Sequence, residues 1–311
     1  MAQAETTPSS LVPGTLWDKI KTQTQHALAI GALHSIPTQC EFITDGGIEF
    51  VVRSLDNLAR KEKARKQQNR ASSEGKSANP FLPYEADLFV SHLSGSHLCL
   101  LNKYNVVDHH LLIVTREFEE QETWLNARDF EALWLCMAEV DGLAFYNAGR
   151  DAGASQPHKH LQLVPMTLTP RTQIPVEPLI GHENSTPEAL MALSQPYSIQ
   201  AFPFPHVVKQ YCLDPQMPSA DAAALLTETY RQLVNTVELG TVREGDRQTG
   251  AYNLLATRRW MMLVPRSQDR FASISVNSLG FAGSLFVSTE KQMKTLKDHG
   301  PMTLLKNVAW S

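Results

Sequence analysis

Residues 97–115 read HLCLLNKYNVVDHHLLIVT, two dense apolar runs separated by a short link around Asn105-Val-Val-Asp108. Parallel neighbours need a crossover of a dozen or more residues, so a link this short joins antiparallel strands. Their unbroken apolar content places them in a buried sheet. The same punctuation recurs along the chain. QCEFITDGGIEFVVR (39–53) reads as two short strands around Asp45-Gly46-Gly47, where glycine supplies the positive φ of a tight turn. LAFYN (143–147), HKHLQLV (158–164), AYNLLAT (251–257), WMMLVPR (260–266), ASISVN (272–277) and LFVS (285–288) are further strands.

Helices punctuate these runs. Trp17, Ile20, Thr24, Ala27, Leu28 and Leu33 form an amphipathic stripe over 15–33. Asn126 is an N-cap for a helix carrying Phe130, Leu133, Trp134, Met137 and Val140 on one side, with Gly142 as its stop. Ser219 opens and Gly240 closes another, and Thr289 with Gln292 makes a capping box for a C-terminal helix. Residues 167–218, with FPFPH inside, read as an irregular excursion with short strands. Strands and helices occur in both halves, and hairpins are more evident than βαβ units. The fold class is therefore α+β, a largely antiparallel sheet with flanking helices.

Composition narrows the function. The 311 residues are 42% hydrophobic, enough for a sizeable core, and a formal net charge of −4 argues against a protein that coats nucleic acid or an anionic membrane. The four cysteines, Cys40, Cys99, Cys136 and Cys212, are far apart and read as reduced thiols. No run of 18 apolar residues occurs, and the N-terminus has no basic or apolar leader segment, so a soluble cytoplasmic protein is expected. Residues 60–80 carry seven basic side chains against two acidic ones. They are either a solvated, flexible loop or a basic flap over an anionic ligand.

The chemistry concentrates in GRDAGASQPHKHLQ, residues 149–162. Along a strand, His158, His160 and Gln162 project to one side and Lys159, Leu161 and Leu163 to the other, so the leucines can bury while the imidazoles share a cleft. Four readings fit: the solvated face of a half-buried strand, two of the ligands of a zinc site that needs a third, a general base, or a nucleophile acting on phosphate. The last explains the most. Gly149, Ala152, Gly153, Ala154 and Ser155 let backbone N–H groups approach phosphate oxygens. An imidazole nitrogen can then attack phosphorus, provided the other nitrogen donates to a fixed acceptor.

At these residues the chain resembles a known family. NAGRDAGASQPHKHLQ (147–162) resembles the active-site segment of the diadenosine tetraphosphate phosphorylases, or ATP adenylyltransferases, in the galactose-1-phosphate uridylyltransferase-like branch of the histidine-triad superfamily. LLNKYNVVDHHLLIVTREFEEQ (100–121) and PRSQDRFASISVNSLGFAGSLFVS (265–288) resemble two further segments of it. The resemblance implies a histidine-triad-like fold forming one nucleotidyltransferase domain over 1–311, with a catalytic core at 95–165 and a substrate segment at 250–290. It implies phosphorolysis of a dinucleoside polyphosphate to ATP and ADP through an adenylyl-histidine, and exchange of phosphate for sulfate on adenosine phosphosulfate. The nucleophile would be His160. His158 would orient the phosphate or support the leaving group, and Gln162 would hydrogen-bond the α-phosphoryl group, being unable to act as acid or base near neutral pH.

By the same resemblance Asn147, Gly153, Ala154, Ser155 and Gln156 bind the phosphates and nearby nucleoside. Asn102 takes the place of a ribose-contacting asparagine, Lys103 points to the substrate or to the surface, and Asn277, Ser278, Leu279 and Ser284 match the C-terminal substrate segment. Arg53 stands where fungal members have a substrate-binding lysine, and it can grip phosphate in a bidentate way. Ser288 stands where they have a second lysine; either the distal phosphates are held by Lys291, Lys294 or the basic run, or Ser288 simply caps the last helix. No essential cofactor is implied beyond a divalent cation such as Mg2+ travelling with the polyphosphate. The partners are the dinucleotide, ATP, ADP and phosphate, with neither nucleic acid nor membrane, and the chain would be a monomer or homodimer. Two rival functions remain at this point. A hexose-1-phosphate uridylyltransferase shares His-x-His-x-Gln but has proline where Lys159 stands, and a nucleotide-binding sensor would keep the pocket without turnover.

Overall fold

The link at 102–110 does join antiparallel neighbours. In the computed structural model, which describes residues 11–55, 79–166, 168, 174–181 and 195–311, β4 (His97–Leu101) pairs with β5 (Leu111–Thr115) from His97 opposite Thr115 to Leu101 opposite Leu111. These two belong to a sheet of eight antiparallel strands. The others are β3 (Phe89–His92), β6 (Gly142–Ala148), β7 (His160–Pro165), β8 (Val207–Gln210), β9 (Tyr252–Ala256) and β10 (Trp260–Pro265), in the order β3-β4-β5-β7-β6-β9-β10-β8. A smaller sheet pairs β1 (Thr38–Asp45) with β2 (Ile48–Leu55) across the Gly46-Gly47 turn, and β13 (Ser284–Val287) joins β2 in parallel. Between them in sequence, β11 (Arg270–Phe271) and β12 (Ile274–Ser275) form a minimal hairpin.

Seven helices lie among the described residues: α1 (Leu16–Ala29), α2 (Ala127–Met137), α3 (Glu177–Ile180), α4 (Ser219–Thr236), α5 (Ser278–Phe281), α6 (Glu290–His299) and α7 (Pro301–Val308). The fold is α+β, as expected. Several boundaries differ from the sequence reading for physical reasons. In α1, which ends at Ala29 rather than 33, Leu16, Ile20, Thr24 and Ala27 are buried while Leu28 is exposed, because the helical period turns it off the buried stripe. α2 starts on an Asn126 capping box but ends at Met137, and Gly142 opens β6 instead of stopping the helix. Arg258, from the other half of the chain, donates to the Met137 and Ala138 carbonyls, satisfying helix-end groups that have no intrahelical partner. Gly142 is needed for packing, since a Cβ there would sit 2.3 Å from the Val164 carbonyl oxygen.

Near the C-terminus only Ile274 and Ser275 of the expected 272–277 strand are extended in a ladder. Thr289, not Ser288, caps α6, and the Gln292 side chain accepts from the Ser288 N–H one residue earlier than a capping box would have it. α6 is also not the last helix, since α7 follows at Pro301. Most of the basic 60–80 run and part of the 167–218 excursion lie outside the described residues.

The eight-stranded sheet is buried on both faces, which is why its strands read as apolar runs. One face packs Cys99, Leu111, Ile113, Ala144, Leu161, Leu163, Leu254 and Met261 against α1, α2 and α4. On the other face cover is split. Leu98, Leu100, Leu112 and Val114 lie under Phe81, whereas Leu143, Phe145, Val164, Leu255 and Met262 pack with the small sheet and α6 and α7. β7 runs beside β5, with His160 opposite Val114 and Gln162 opposite Leu112, so both fall at the seam between these two apolar patches. The polar site therefore occupies a break in the hydrophobic cover.

Candidate active site

Alternation along β7 divides its side chains as the sequence suggests. Leu161 and Leu163 enter the helical core, each burial contributing roughly 1.5–3 kcal/mol. Lys159 points the same way and is fully buried, its ammonium 2.7 Å from Asp129 Oδ2 and donating to the Trp124 carbonyl at 3.0 Å. Asp129 also accepts from His97 Nε2 at 3.0 Å and from the Asn126 N–H at 2.8 Å. Burial alone would raise the Asp129 carboxyl, but the His97 hydrogen bond and the Lys159 charge outweigh it and hold it below the usual carboxylate range.

The opposite side carries neutral imidazoles. β7 begins at His160, two residues later than expected, and His158 forms an isolated bridge with Glu120. His158 accepts from Asn79 Nδ2 at its Nδ1 (3.0 Å) and donates from Nε2 to the Thr115 carbonyl (2.9 Å). Both ring nitrogens are thus engaged within the protein, and burial lowers its pKa. His160 Nδ1 donates to the His158 carbonyl at 2.8 Å, which leaves the Nε2 lone pair available. Burial is the main reason that the His160 pKa is lowered to about 4. At neutral pH this ring is uncharged and held in one tautomer with Nε2 unprotonated. His158 acts on it through its backbone, and the His-x-His pair offers one free nitrogen where catalytic zinc needs three protein ligands. Among the described residues no group of three or more His, Cys, Asp or Glu side chains is placed to hold a metal.

Gln162 is oriented by a relay. Asn102 Nδ2 lies 3.2 Å from His110 Nδ1, and His110 Nε2 lies 2.9 Å from Gln162 Oε1. His110 is buried and pushed down to about 4, chiefly by burial, so it is neutral and can donate through only one nitrogen. With Asn102 donating to Nδ1, Nε2–H donates to the Gln162 carbonyl. The Gln162 amide NH2 then faces away from the relay, a donor aimed at the seam. His110 was not among the expected site residues; Asn102 was, and it reaches the site through His110.

The glycine-rich loop is more self-contained than expected. Gly149 (φ 92°) and Gly153 (φ 88°) bracket a single 3-10 turn at Arg150–Ala152. The N–H groups of Ala152 and Ala154 donate to the Gly149 carbonyl, that of Gly153 to Arg150, and that of Gly149 to Asn147. Of the cradle predicted over 149–156, four amides are thus consumed within the loop, and those of Arg150, Asp151, Ser155 and Gln156 take no part in these bonds. Gly153 is irreplaceable for a second reason, since a Cβ would lie 2.8 Å from the Val276 carbonyl oxygen. Behind the loop lies Arg266, which is buried, lowered by burial to about 10, and so still a cation. Its Nη1 bonds the Ala152 carbonyl (3.4 Å) and Asn253 Oδ1, its Nη2 the Gln268 (2.7 Å) and Val276 (3.0 Å) carbonyls, and its Nε the Val308 carbonyl (3.0 Å). One guanidinium thus ties the loop to the C-terminal segment.

Other expected residues fall into distinct places. Asn147 Oδ1 accepts from Asn253 Nδ2 (2.9 Å) and from the Ser278 N–H (3.0 Å) and Oγ (2.7 Å), locking α5 against β6. Asn277 caps α5 through the Leu279 N–H, Leu279 is half-buried, and Ser284 is buried on β13. Arg53 sits on β2, donating to the Leu168 carbonyl at 2.6 Å, with Thr38 and Cys40 at 3.5 Å. Lys103 is in a surface ion pair with Glu85 at 2.6 Å. The structure therefore gathers His158, His160, Gln162, Asn102 and the 147–156 loop, and sets Arg53 and Lys103 in other contacts. Two open cavities, of about 460 and 440 Å³, lie at Phe202–His206 with Trp310 and beside α1, and neither is lined by His160.

Comparison with known proteins identifies the family. The Ap4A phosphorylase N-terminal domain matches residues 6–182 and the ATP adenylyltransferase C-terminal domain matches residues 200–311. The chain is 27% identical over 269 residues to diadenosine 5',5'''-P1,P4-tetraphosphate phosphorylase 2 of Saccharomyces cerevisiae, covering 80% of this chain and 79% of that protein. It is 26% identical over 203 residues to Protein APA1 of the same yeast, covering 62% and 61%. The crystal structure of yeast Ap4A phosphorylase Apa2 shares the fold, with a TM-score of 0.75 at 23% identity over 96% of each chain. Apa2 in complex with Ap4A gives 0.75 at 22% identity, over 96% of this chain and 99% of that one. With both domains matched in order, this chain belongs to the Ap4A phosphorylase, or ATP adenylyltransferase, family.

Proposed function

We propose that the protein phosphorolyses diadenosine tetraphosphate to ATP and ADP through a covalent adenylyl-His160 intermediate. His160 Nε2 attacks the α-phosphorus, a P–N bond forms, the bond to the bridging oxygen breaks, and ATP leaves. Phosphate then attacks the same phosphorus, the P–N bond breaks, and ADP leaves. The observation that carries this reading is the 2.8 Å bond from His160 Nδ1 to the His158 carbonyl, which fixes the nucleophilic tautomer and stabilises the ring as charge develops on it. The Gln162 amide, turned by His110, supplies a donor to the α-phosphoryl oxygens without offering water a base. A sulfate leaving group on adenosine phosphosulfate would open the same route to ADP.

The test is incubation with diadenosine tetraphosphate in the absence of phosphate, followed by mass spectrometry of the intact protein. The expected result is one acid-labile AMP adduct, discharged to ADP by added phosphate and absent in His160→Ala, with turnover reduced roughly 10³-fold or more. Cleavage that proceeds without an adduct, or without phosphate, would overturn the mechanism.

A further inference from the structure

The ladder between β6 and β7 stops early. It runs from Gly142 opposite Pro165 to Phe145 opposite Gln162, and the same register continued would set Asn147 opposite His160. That rung is missing. In its place lies the buried side-chain amide of Gln121, from the 119–121 segment that returns to run beside 157–159. Gln121 Oε1 accepts the His160 N–H at 2.8 Å, and Nε2 donates to the Asn147 carbonyl at 3.0 Å and the His160 carbonyl at 3.3 Å. Its own backbone is fixed too. The Gln121 N–H donates to the Pro157 carbonyl at 2.7 Å, the Tyr146 hydroxyl donates to the Gln121 carbonyl, and two residues earlier the Glu119 carbonyl accepts the Lys159 N–H at 2.8 Å.

A carboxamide carries one acceptor and one donor group in the geometry of a peptide unit, so it can replace a rung and hold the two strands further apart than a direct bond would. The separation falls at the nucleophile itself and at Asn147, where the glycine-rich loop begins. We infer that Gln121 is a positioning residue for adenylyl transfer, a side-chain rung that sets His160 against the phosphate-binding loop. It touches neither substrate nor reacting atom. This rests on the proposed function of His160 and adds to it a reason for the geometry.

The test is Gln121→Glu, assayed by the single-turnover rate of adduct formation and by kcat and KM with diadenosine tetraphosphate. An ionised carboxylate accepts from the His160 N–H but faces the Asn147 and His160 carbonyls without a donor. Near neutral pH, kcat should fall roughly 10²-fold with KM little changed, as a displaced nucleophile requires. A carboxyl placed among carbonyls and away from water takes up a proton well above its ordinary pKa, and its O–H then restores the missing donor. The ratio of variant to wild-type kcat should therefore rise toward one between about pH 8 and about pH 5. The neighbouring Tyr146 hydroxyl and the His160 ring stay neutral over this range, and taking the ratio to wild type cancels the titration of groups common to both proteins.

A ratio independent of pH, or a loss confined to KM, overturns the inference while leaving the adduct chemistry of the wild-type enzyme standing. A wild-type enzyme that forms no adduct overturns the proposed function and this inference with it. Should Gln121→Glu fail to fold, Gln121→Met keeps the length and removes all three side-chain hydrogen bonds. Loss in kcat at unchanged KM then supports the role, and wild-type kcat overturns it.

Discussion

The two sides of β7 solve one problem in opposite ways. Both sides bury an ionisable group, at adjacent positions, yet toward the helices Lys159 is paired with a carboxylate, and toward the seam His160 is held neutral. Lys159 meets a carboxylate at 2.7 Å, inside a network that also fills the N-terminal turn of α2. His160 meets only neutral partners, the His158 carbonyl and the aromatic ring of Phe81 with its centroid 5.4 Å away. Burial with a countercharge preserves an ion, and burial among neutral dipoles removes it. The difference shows how one strand can be anchored by an ion pair and still present an uncharged imidazole.

The largest effect should come from breaking the charged side. Asp129→Ala leaves the Lys159 ammonium buried without its carboxylate and removes half of the α2 capping box, which should cost about 3–5 kcal/mol. Urea denaturation measures it, and Asp129→Ala combined with Lys159→Met should recover part of the loss, because the stranded charge is gone. Folded Asp129→Ala protein should still form the adenylyl adduct. If the double variant is no more stable than the single one, the ion pair is not what anchors the strand.

A change of pH should separate the two sides more gently. His110 and His160 are held at about 4, so between that value and 6.5 the unfolded chain binds protons that the folded one refuses. Their contribution to stability is complete above 6.5 and is lost as pH falls toward 4, on the order of 2 kcal/mol for each by about pH 5. Asp129, held low, contributes above 3.8 and loses its contribution only as pH falls below that. Acid should therefore weaken the seam before the ion-pair network. Denaturation midpoints that are flat from about pH 7 to about pH 5 would contradict the buried neutral state of both histidines.

The smallest effect sharpens the neutral side alone. His110→Leu retains an apolar body but frees the Gln162 amide to turn, which should slow single-turnover adduct formation roughly tenfold, about 1.4 kcal/mol. Its stability should also vary less with pH than that of the wild type in the same window. An unchanged rate would mean that Gln162 is held without the relay.

Much of this site is legible in a single segment because the strand period is local. His160, Gln162, Leu161 and Leu163 sort onto their faces by alternation, whichever fold surrounds them. The partners that give these residues their chemistry were not legible. His110 bonds Gln162 across 52 residues, Gln121 bonds His160 across 39, and Arg266 reaches Ala152 across 114. The loop shows the same limit: its small residues announce a close approach, but which amides remain for a ligand depends on the turn that consumes four of them. Lys159 reads as a polar residue on a strand and is fully buried, since Asp129, which neutralises it, lies on a different element.

The chain by itself determined the class of fold and the strand face shared by His160 and Gln162, because periodicity and turn residues are properties of neighbours in sequence. Tertiary structure alone decided which imidazole nitrogen is free, which way the Gln162 amide points and where charge survives burial. Those depend on hydrogen-bond partners and desolvation, and both are set by segments that only folding brings together.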